Sequence, residues 1–158
     1  MIERVVSGGQ TGVDRAALDA AATLGVPIGG WCPRGRKAED GLIDPRYPLR
    51  ETPSADYAQR TEWNVRDADG TLILTRDGLS GGSAQTAQDV AQHGKPCLVV
   101  DLAMPPSPSV FREWITRHHI RVLNVAGPRE SKAPGIYAEA FARLRTLMND
   151  CLSHENRV

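Results

Sequence analysis

An open α/β sheet, mostly parallel and layered with helices on both faces, is the fold class this sequence predicts. Three observations predict it. Short apolar runs alternate with helical stretches along the chain, the first helical stretch is rich in alanines small enough to lie close against a sheet, and two of the runs end in glycine turns that open directly into helices. Strands alternating with helices in this way are joined by right-handed crossovers.

The elements follow in order. Ile2 to Ser7 reads as a buried strand entering the turn Gly8-Gly9-Gln10-Thr11-Gly12, and a helix runs from about Val13 to Leu24, where Gly25 ends it. Pro27 to Cys32 reads as a second strand, feeding the polar loop Pro33 to Gly41 with Arg34, Arg36 and Lys37 in four positions. A loop of that length in a compact domain is more often functional than merely connecting. Tyr47 to Thr52 fits a brief extended piece. Ser54 is the expected cap of a helix through about Ala68, with Tyr57, Thr61, Asn64, Val65 and Ala68 along one side. Gly70 to Thr75 is the next strand, Arg76 to Ser83 the second glycine-rich turn, and a helix from about Ala84 to Gln92 ends at Gly94. A strand at Pro96 to Asp101, a helix at Ser109 to His118, a strand at Val122 to Val125 and an amphipathic helix at Tyr137 to Leu152 complete the chain.

Composition narrows the class. The 158 residues fit one domain, 1–158, able to bury about two-thirds of the surface its unfolded chain exposes. Nineteen Lys and Arg balance nineteen Asp and Glu, so neither nucleic acid nor an anionic membrane is the default partner. Cys32, Cys97 and Cys151 form no CxxC pair, which argues against a zinc site or a disulfide framework and for a reducing setting. No apolar run approaches the roughly 20 residues that span a bilayer. Met1 to Arg4 lead into a strand rather than a targeting segment, so a cytoplasmic protein is expected.

Ligands of open α/β sheets bind beyond the carboxyl ends of the strands. Four strand ends carry anion-friendly groups here: the Gly8 to Gly12 turn, the Arg34-Arg36-Lys37 loop, the Ser80 to Thr86 turn and the loop Gly127 to Lys132. The first turn departs from the dinucleotide fingerprint, because Ser7 takes the first glycine position and the second strand ends in Gly30-Trp31-Cys32 instead of an acid. No GxxxxGK[ST] occurs. Thr11, Ser83 and Thr86 add hydroxyls, while Asp14 and Arg15 either face the pocket or cap and solvate the helix. Trp31 is open to stacking on a flat heterocycle or to ordinary packing. Gly78-Leu79-Ser80-Gly81-Gly82 fits a GxSxG nucleophile elbow in spelling only, since Arg76-Asp77-Gly78 separates strand from serine and no base is indicated.

Taken together, SGGQTGVDRAALDAA, GWCPRGRKAEDG, TEWNVRDADGTLIL, SGGSAQTAQDVAQHGKPCLVV and NVAGPRES resemble, in order and spacing over nearly the whole chain, the family of molybdenum-cofactor carriers. The resemblance implies a Rossmann-like three-layer α/β/α sandwich, commonly a homo-oligomer. Its ligand would be molybdenum cofactor (molybdopterin), a phosphorylated pterin held without chemistry and protected from oxidation. On that reading Gly8, Gly9, Gln10, Thr11 and Gly12 cradle the phosphate together with Gly81, Gly82, Ser83 and Thr86, Asp14 and Arg15 stand beside it, and Arg34, Arg36 and Lys37 supply charge. No residue is assigned to a metal. The related phosphoribohydrolases carry PGGxGTxxE, on which Gly82 and Thr86 match and Asp89 takes the place of the glutamate. The alternative implied is cleavage of the N-glycosidic bond of nucleoside monophosphates, with Asp89 as the acid.

Overall fold

The structure, a computed structural model, describes residues 1–157. Five parallel strands form the central sheet in the order β2-β1-β9-β7-β8: β1 is Arg4–Val6, β2 Ile28–Gly29, β7 Gly70–Thr75, β8 Cys97–Asp101 and β9 Val122–Ala126. Two small pairs lie outside it: β3 (Trp31–Cys32) with β6 (Arg50–Glu51), parallel, and β4 (Lys37–Ala38) with β5 (Gly41–Leu42), antiparallel. Helices α1 (Val13–Thr23), α4 (Pro108–Arg117) and α5 (Ile136–Glu155) pack together on one face, and α2 (Tyr57–Asp67) packs with α3 (Gly81–His93) on the other. The fold is the Rossmann-like three-layer α/β/α sandwich. No helix among the described residues is long and apolar enough to cross a membrane.

The two faces of the sheet differ in chemistry. Leu72, Leu74, Val100, Leu123 and Val125 join Phe111, Trp114, Ile136, Leu144 and Met148 in the main core. Ala16, Ala17, Ala20 and Ala21 are fully buried, so α1 can lie close to the strands with little side-chain entropy lost. Alternation along β7 sends Thr71, Ile73 and Thr75 to the face opposite Leu72 and Leu74, and all of them are buried. Of α2, only Asn64 and Val65 are buried. The α2–α3 side is accordingly the polar one.

Several boundaries differ from those the sequence suggests. The strand expected at Pro27 to Cys32 breaks at Gly30, where φ is +124° and a Cβ would stand 2.5 Å from the Ser7 carbonyl oxygen. β2 stays beside β1, while β3 leaves the main sheet and pairs with β6. Ser54 does not cap α2; its Oγ accepts from the Asp56 N–H at 3.0 Å, a local turn that delays the helix to Tyr57. Gly81 and Gly82, expected in a turn, form the first residues of α3. The cationic loop folds back as the β4–β5 hairpin with Glu39 and Asp40 at its tip.

Leu72 is fully buried in the middle of β7, so Leu72→Ala removes its contacts and leaves a cavity. A loss of about 2–5 kcal/mol is expected, measured as a lower urea midpoint at unchanged slope.

Candidate functional site

A cavity of about 370 Å³ opens beyond the carboxyl ends of β1, β7 and β9, within the range of small-ligand sites of about 300–1,000 Å³. Asn124 to Ala126 lie along its floor, α2 contributes Tyr57, Ala58, Arg60, Thr61 and Asn64, and α3 contributes Gly81, Gly82, Ser83, Gln85 and Thr86. Gly8, Gln10 and Asp14 enter from the first turn, and Arg129 and Lys132 from the loop after β9. The strand order explains the place. Its two halves wind outward from the centre, which leaves a crevice at the switch point.

The N-terminus of α1 is packed against the chain itself, with the Gly12 and Asp14 N–H groups left without a partner among the described residues. The Val13 N–H donates to the Pro128 carbonyl at 3.2 Å, the Thr11 N–H to the Gln10 Oε1 at 3.1 Å, and the Gln10 N–H to the Asp14 Oδ2 at 3.2 Å. Thr11 Oγ1 accepts from the Glu130 N–H at 3.1 Å and donates to Glu39. Gly12, at φ +77°, lets the 128–130 backbone approach so closely that a Cβ would stand 2.8 Å from the Glu130 nitrogen. Glu39 also receives the Ser131 N–H at 3.1 Å and the Ser131 hydroxyl. The Ser131 and Thr11 hydroxyl donors hold the Glu39 carboxyl below its ordinary range.

The N-terminus of α3 is open. Ser83 and Ala84 turn their N–H groups back to the Ser80 carbonyl, at 3.0 and 3.4 Å, whereas the Gly81 and Gly82 N–H groups have no partner among the described residues. Beyond Gly82 there is open space, and the Lys132 Nζ stands 3.2 Å from where a Gly81 Cβ would be. Two free N–H groups, a helix dipole and an ammonium thus converge on one spot.

The expected site residues separate into two groups. Gly8, Gln10, Asp14, Gly81, Gly82, Ser83 and Thr86 line the cavity. Gly9, Thr11, Gly12, Arg15, Arg34 and Arg36 are not brought to it. Gly9 packs against Leu49 and Ile43, and Arg15 holds Asp40 through two hydrogen bonds of 2.5 and 2.7 Å. Arg36 spends its guanidinium on the carbonyls of Ile43, Asp44, Tyr47 and Leu49, at 2.9–3.3 Å, and so shapes that loop. Arg34 is exposed. Lys37 does not line the cavity either; its Nζ lies 5.0 Å from the centroid of the Tyr57 ring, which does. Trp31 packs edge-on to Trp63 and donates to Asp67 at 2.8 Å, outside the cavity. Asp89 sits a turn beyond Gln85 and does not line the cavity. It is 4% exposed, its Oδ1 accepts from the Gln85 Nε2 at 3.1 Å, and burial raises its carboxyl above the ordinary range.

Three contributors received no role from the sequence: Arg60, whose helix could bring it to the rim, Asn124 and Arg76. Arg60 donates to the Gly8 carbonyl at 3.0 Å and lies 3.8 Å from the Asp14 Oδ2; a Cβ on Gly8 would stand 2.6 Å from its guanidinium, so that glycine admits the arginine. Burial pushes the Asp14 carboxyl up, and Arg60 is the main opposing charge. Asn124 is the second contributor, a buried carboxamide in an otherwise apolar strand, and that polar interruption of Val122–Ala126 was its signal. Arg76 fastens the loop after β9 by donating to the Pro134 carbonyl and to Glu139, both at 2.9 Å. Among the described residues no cluster of three His, Cys, Asp or Glu could hold a metal ion.

A Rossmann-like α/β protein with a polar, cation-rimmed cleft at the carboxyl edge of its sheet is the class that this fold and site define. The chain belongs to the circularly permutated YpsA SLOG family, whose model matches residues 5–148. It is similar to a protein of known crystal structure from Syntrophus aciditrophicus SB described as a "putative molybdenum carrier protein". The identity is 47%, the match covers 92% of this chain and 94% of that one, and the TM-score is 0.88. No curated protein matches the chain.

Because Glu39 is held below its ordinary range, the stability it contributes is present above the unfolded-state pKa and is lost as pH falls through the folded-state value. Glu39→Gln is therefore expected to be less stable than the wild type at pH 7, with the gap narrowing on acidification, as urea unfolding at a series of pH values would measure.

Proposed function

We propose that this protein is a carrier that binds a phosphorylated heterocycle in the cavity, molybdenum cofactor being the ligand the family likeness favours. The observation that carries the reading is the open N-terminus of α3, where Gly81 and Gly82 offer unpaired N–H groups beneath the Lys132 ammonium. A phosphate is the group this arrangement suits, because charge-assisted hydrogen bonds from backbone and ammonium are strongest to a full anion.

The residues present fit the organic part of such a ligand. Gly81, Gly82 and Lys132 would hold the phosphate, Ser83 and Thr86 stand beside them, and the space between α2 and the floor would receive the flat ring. Arg60 already offsets the buried Asp14, so the floor does not oppose an incoming anion. When bound, the cofactor supplies redox chemistry to a recipient enzyme. This chain's part is to bind, orient and shield it. The Syntrophus protein's description as a carrier supports the same direction. Cleavage of a glycosidic bond receives less support, since Asp89, the acid it requires, is turned away from the cavity.

Isothermal titration with inorganic phosphate and with a phosphorylated pterin tests the reading. Lys132→Ala, which removes one charged donor of about 1.5–3 kcal/mol, is expected to weaken both by at least about tenfold without changing the urea midpoint. A wild-type protein that binds neither would overturn it.

A further inference from the structure

One turn above the proposed phosphate position, the cavity wall carries a side chain whose hydrogen-bonding sense is set from behind. Gln85 lines the cavity, and its amide nitrogen donates to the Asp89 Oδ1 at 3.1 Å. A carboxylate oxygen with no hydrogen accepts and cannot donate, so it selects one of the two amide orientations. The Gln85 Oε1 has no partner among the described residues and is left as an acceptor. Asp89 itself is buried, and its Oδ2 is without a hydrogen bond. A buried carboxyl oxygen left unmatched costs stability, and the one polar contact Asp89 makes among the described residues is the one that orients Gln85.

The opposite wall is formed by α2. Tyr57, Ala58 and Thr61 of α2 face the cavity there, and the Thr61 hydroxyl is already engaged with the Tyr57 carbonyl at 2.9 Å and the Arg60 Nε at 3.2 Å. On the floor Asn124 is a second carboxamide, whose partner is a hydroxyl that can donate or accept and so does not fix the amide's sense as Asp89 does for Gln85. Its amide nitrogen is directed to the Thr71 Oγ1 at 3.2 Å, which turns its carbonyl oxygen away from that partner. Each carboxamide thus has one of its two N–H donors engaged by the protein.

We infer that the cavity selects its ligand's ring through acceptors, with Asp89 as a positioning residue that holds the Gln85 Oε1 toward the ligand. The ligand class is then a phosphorylated heterocycle bearing an amino or ring N–H donor on the edge that meets α3. This inference rests on the reading of the cavity as a site for a phosphorylated heterocycle. A ring that offers only acceptors on that edge leaves Gln85 unmatched on desolvation and binds more weakly.

Titration calorimetry with two matched pairs tests it: guanosine against inosine monophosphate, and adenosine against purine-riboside monophosphate, each pair differing by one amino group. Inorganic phosphate serves as the common probe. The wild type is expected to favour the amino-bearing member of at least one pair by about fivefold, the net value of one hydrogen bond. Asp89→Asn frees Gln85 to rotate and is expected to bring the ratio within about twofold. Gln85→Leu, which removes the acceptor itself and also takes from Asp89 its one hydrogen-bond partner among the described residues, is expected to do the same. A merely structural role for Asp89 would lower all affinities together and leave the ratio alone. The inference is overturned by equal wild-type affinities within both pairs, by a ratio unmoved in both variants, or by phosphate binding with no affinity for any of the four nucleotides. Absence of phosphate and nucleotide binding alike would instead remove the cavity reading on which it rests.

Discussion

The approach of the 128–130 backbone to Gly12 is the contact on which the site depends. Glycine at φ +77° permits it, the Val13 N–H completes it by donating to the Pro128 carbonyl, and Thr11 and Glu39 lock the same loop from the other side. This contact lays backbone over the N-terminus of α1 and takes up its Val13 N–H. It also carries Lys132 across the crevice to stand above Gly81. One helix terminus is covered, and the loop that covers it delivers the cation to the other. The two glycine turns, alike in sequence, end with different tasks.

The arrangement follows from where the last strand goes. β9 enters between β1 and β7, so the loop that follows it emerges between the two turns rather than at an edge of the sheet. An edge position would leave both helix termini facing solvent. The central position also divides the layers: α1, α4 and α5 share the apolar core, and α2 and α3 cover a face where Thr71, Thr75 and Asn124 are buried. Polar groups on that face are affordable because the cavity and neighbouring side chains meet their hydrogen-bonding needs, as Thr71 does for Asn124.

Local pattern carried most of the fold. Strands at β7 and β9 and the helices α1, α4 and α5 were legible because apolar spacing and glycine stops agree there, residue by residue, with burial in the folded chain. What was not legible depended on distance. Gly30 ends β2 because Ser7 lies against it, and a sequence window does not contain that neighbour. The same holds for the cations: Arg34, Arg36 and Lys37 look like a phosphate cluster, yet Arg36 is drawn inward by four carbonyls that no charge count reveals, while Arg60, from the middle of α2, and Lys132, from the anion-friendly loop after β9, reach the cavity. The stretch Ser80 to Thr86, expected as a second anion-binding turn, is the entrance of α3 with Gly81 and Gly82 already helical, and Gln85 takes its direction from Asp89 one turn further along the same helix.

The unequal anchoring of the two layers has a dynamic consequence. A helix that buries only Asn64 and Val65 is held by far less apolar area than α5, which buries Ile136, Ala140, Leu144, Leu147, Met148 and Cys151. Opening of α2 away from the sheet then draws on a small part of the global free energy, while α1, α4 and α5 remain closed. Amide hydrogens of α2 will exchange through such partial openings and those of β7 and α5 only through complete unfolding. The molecule thus behaves as a rigid floor with a looser roof over the cavity.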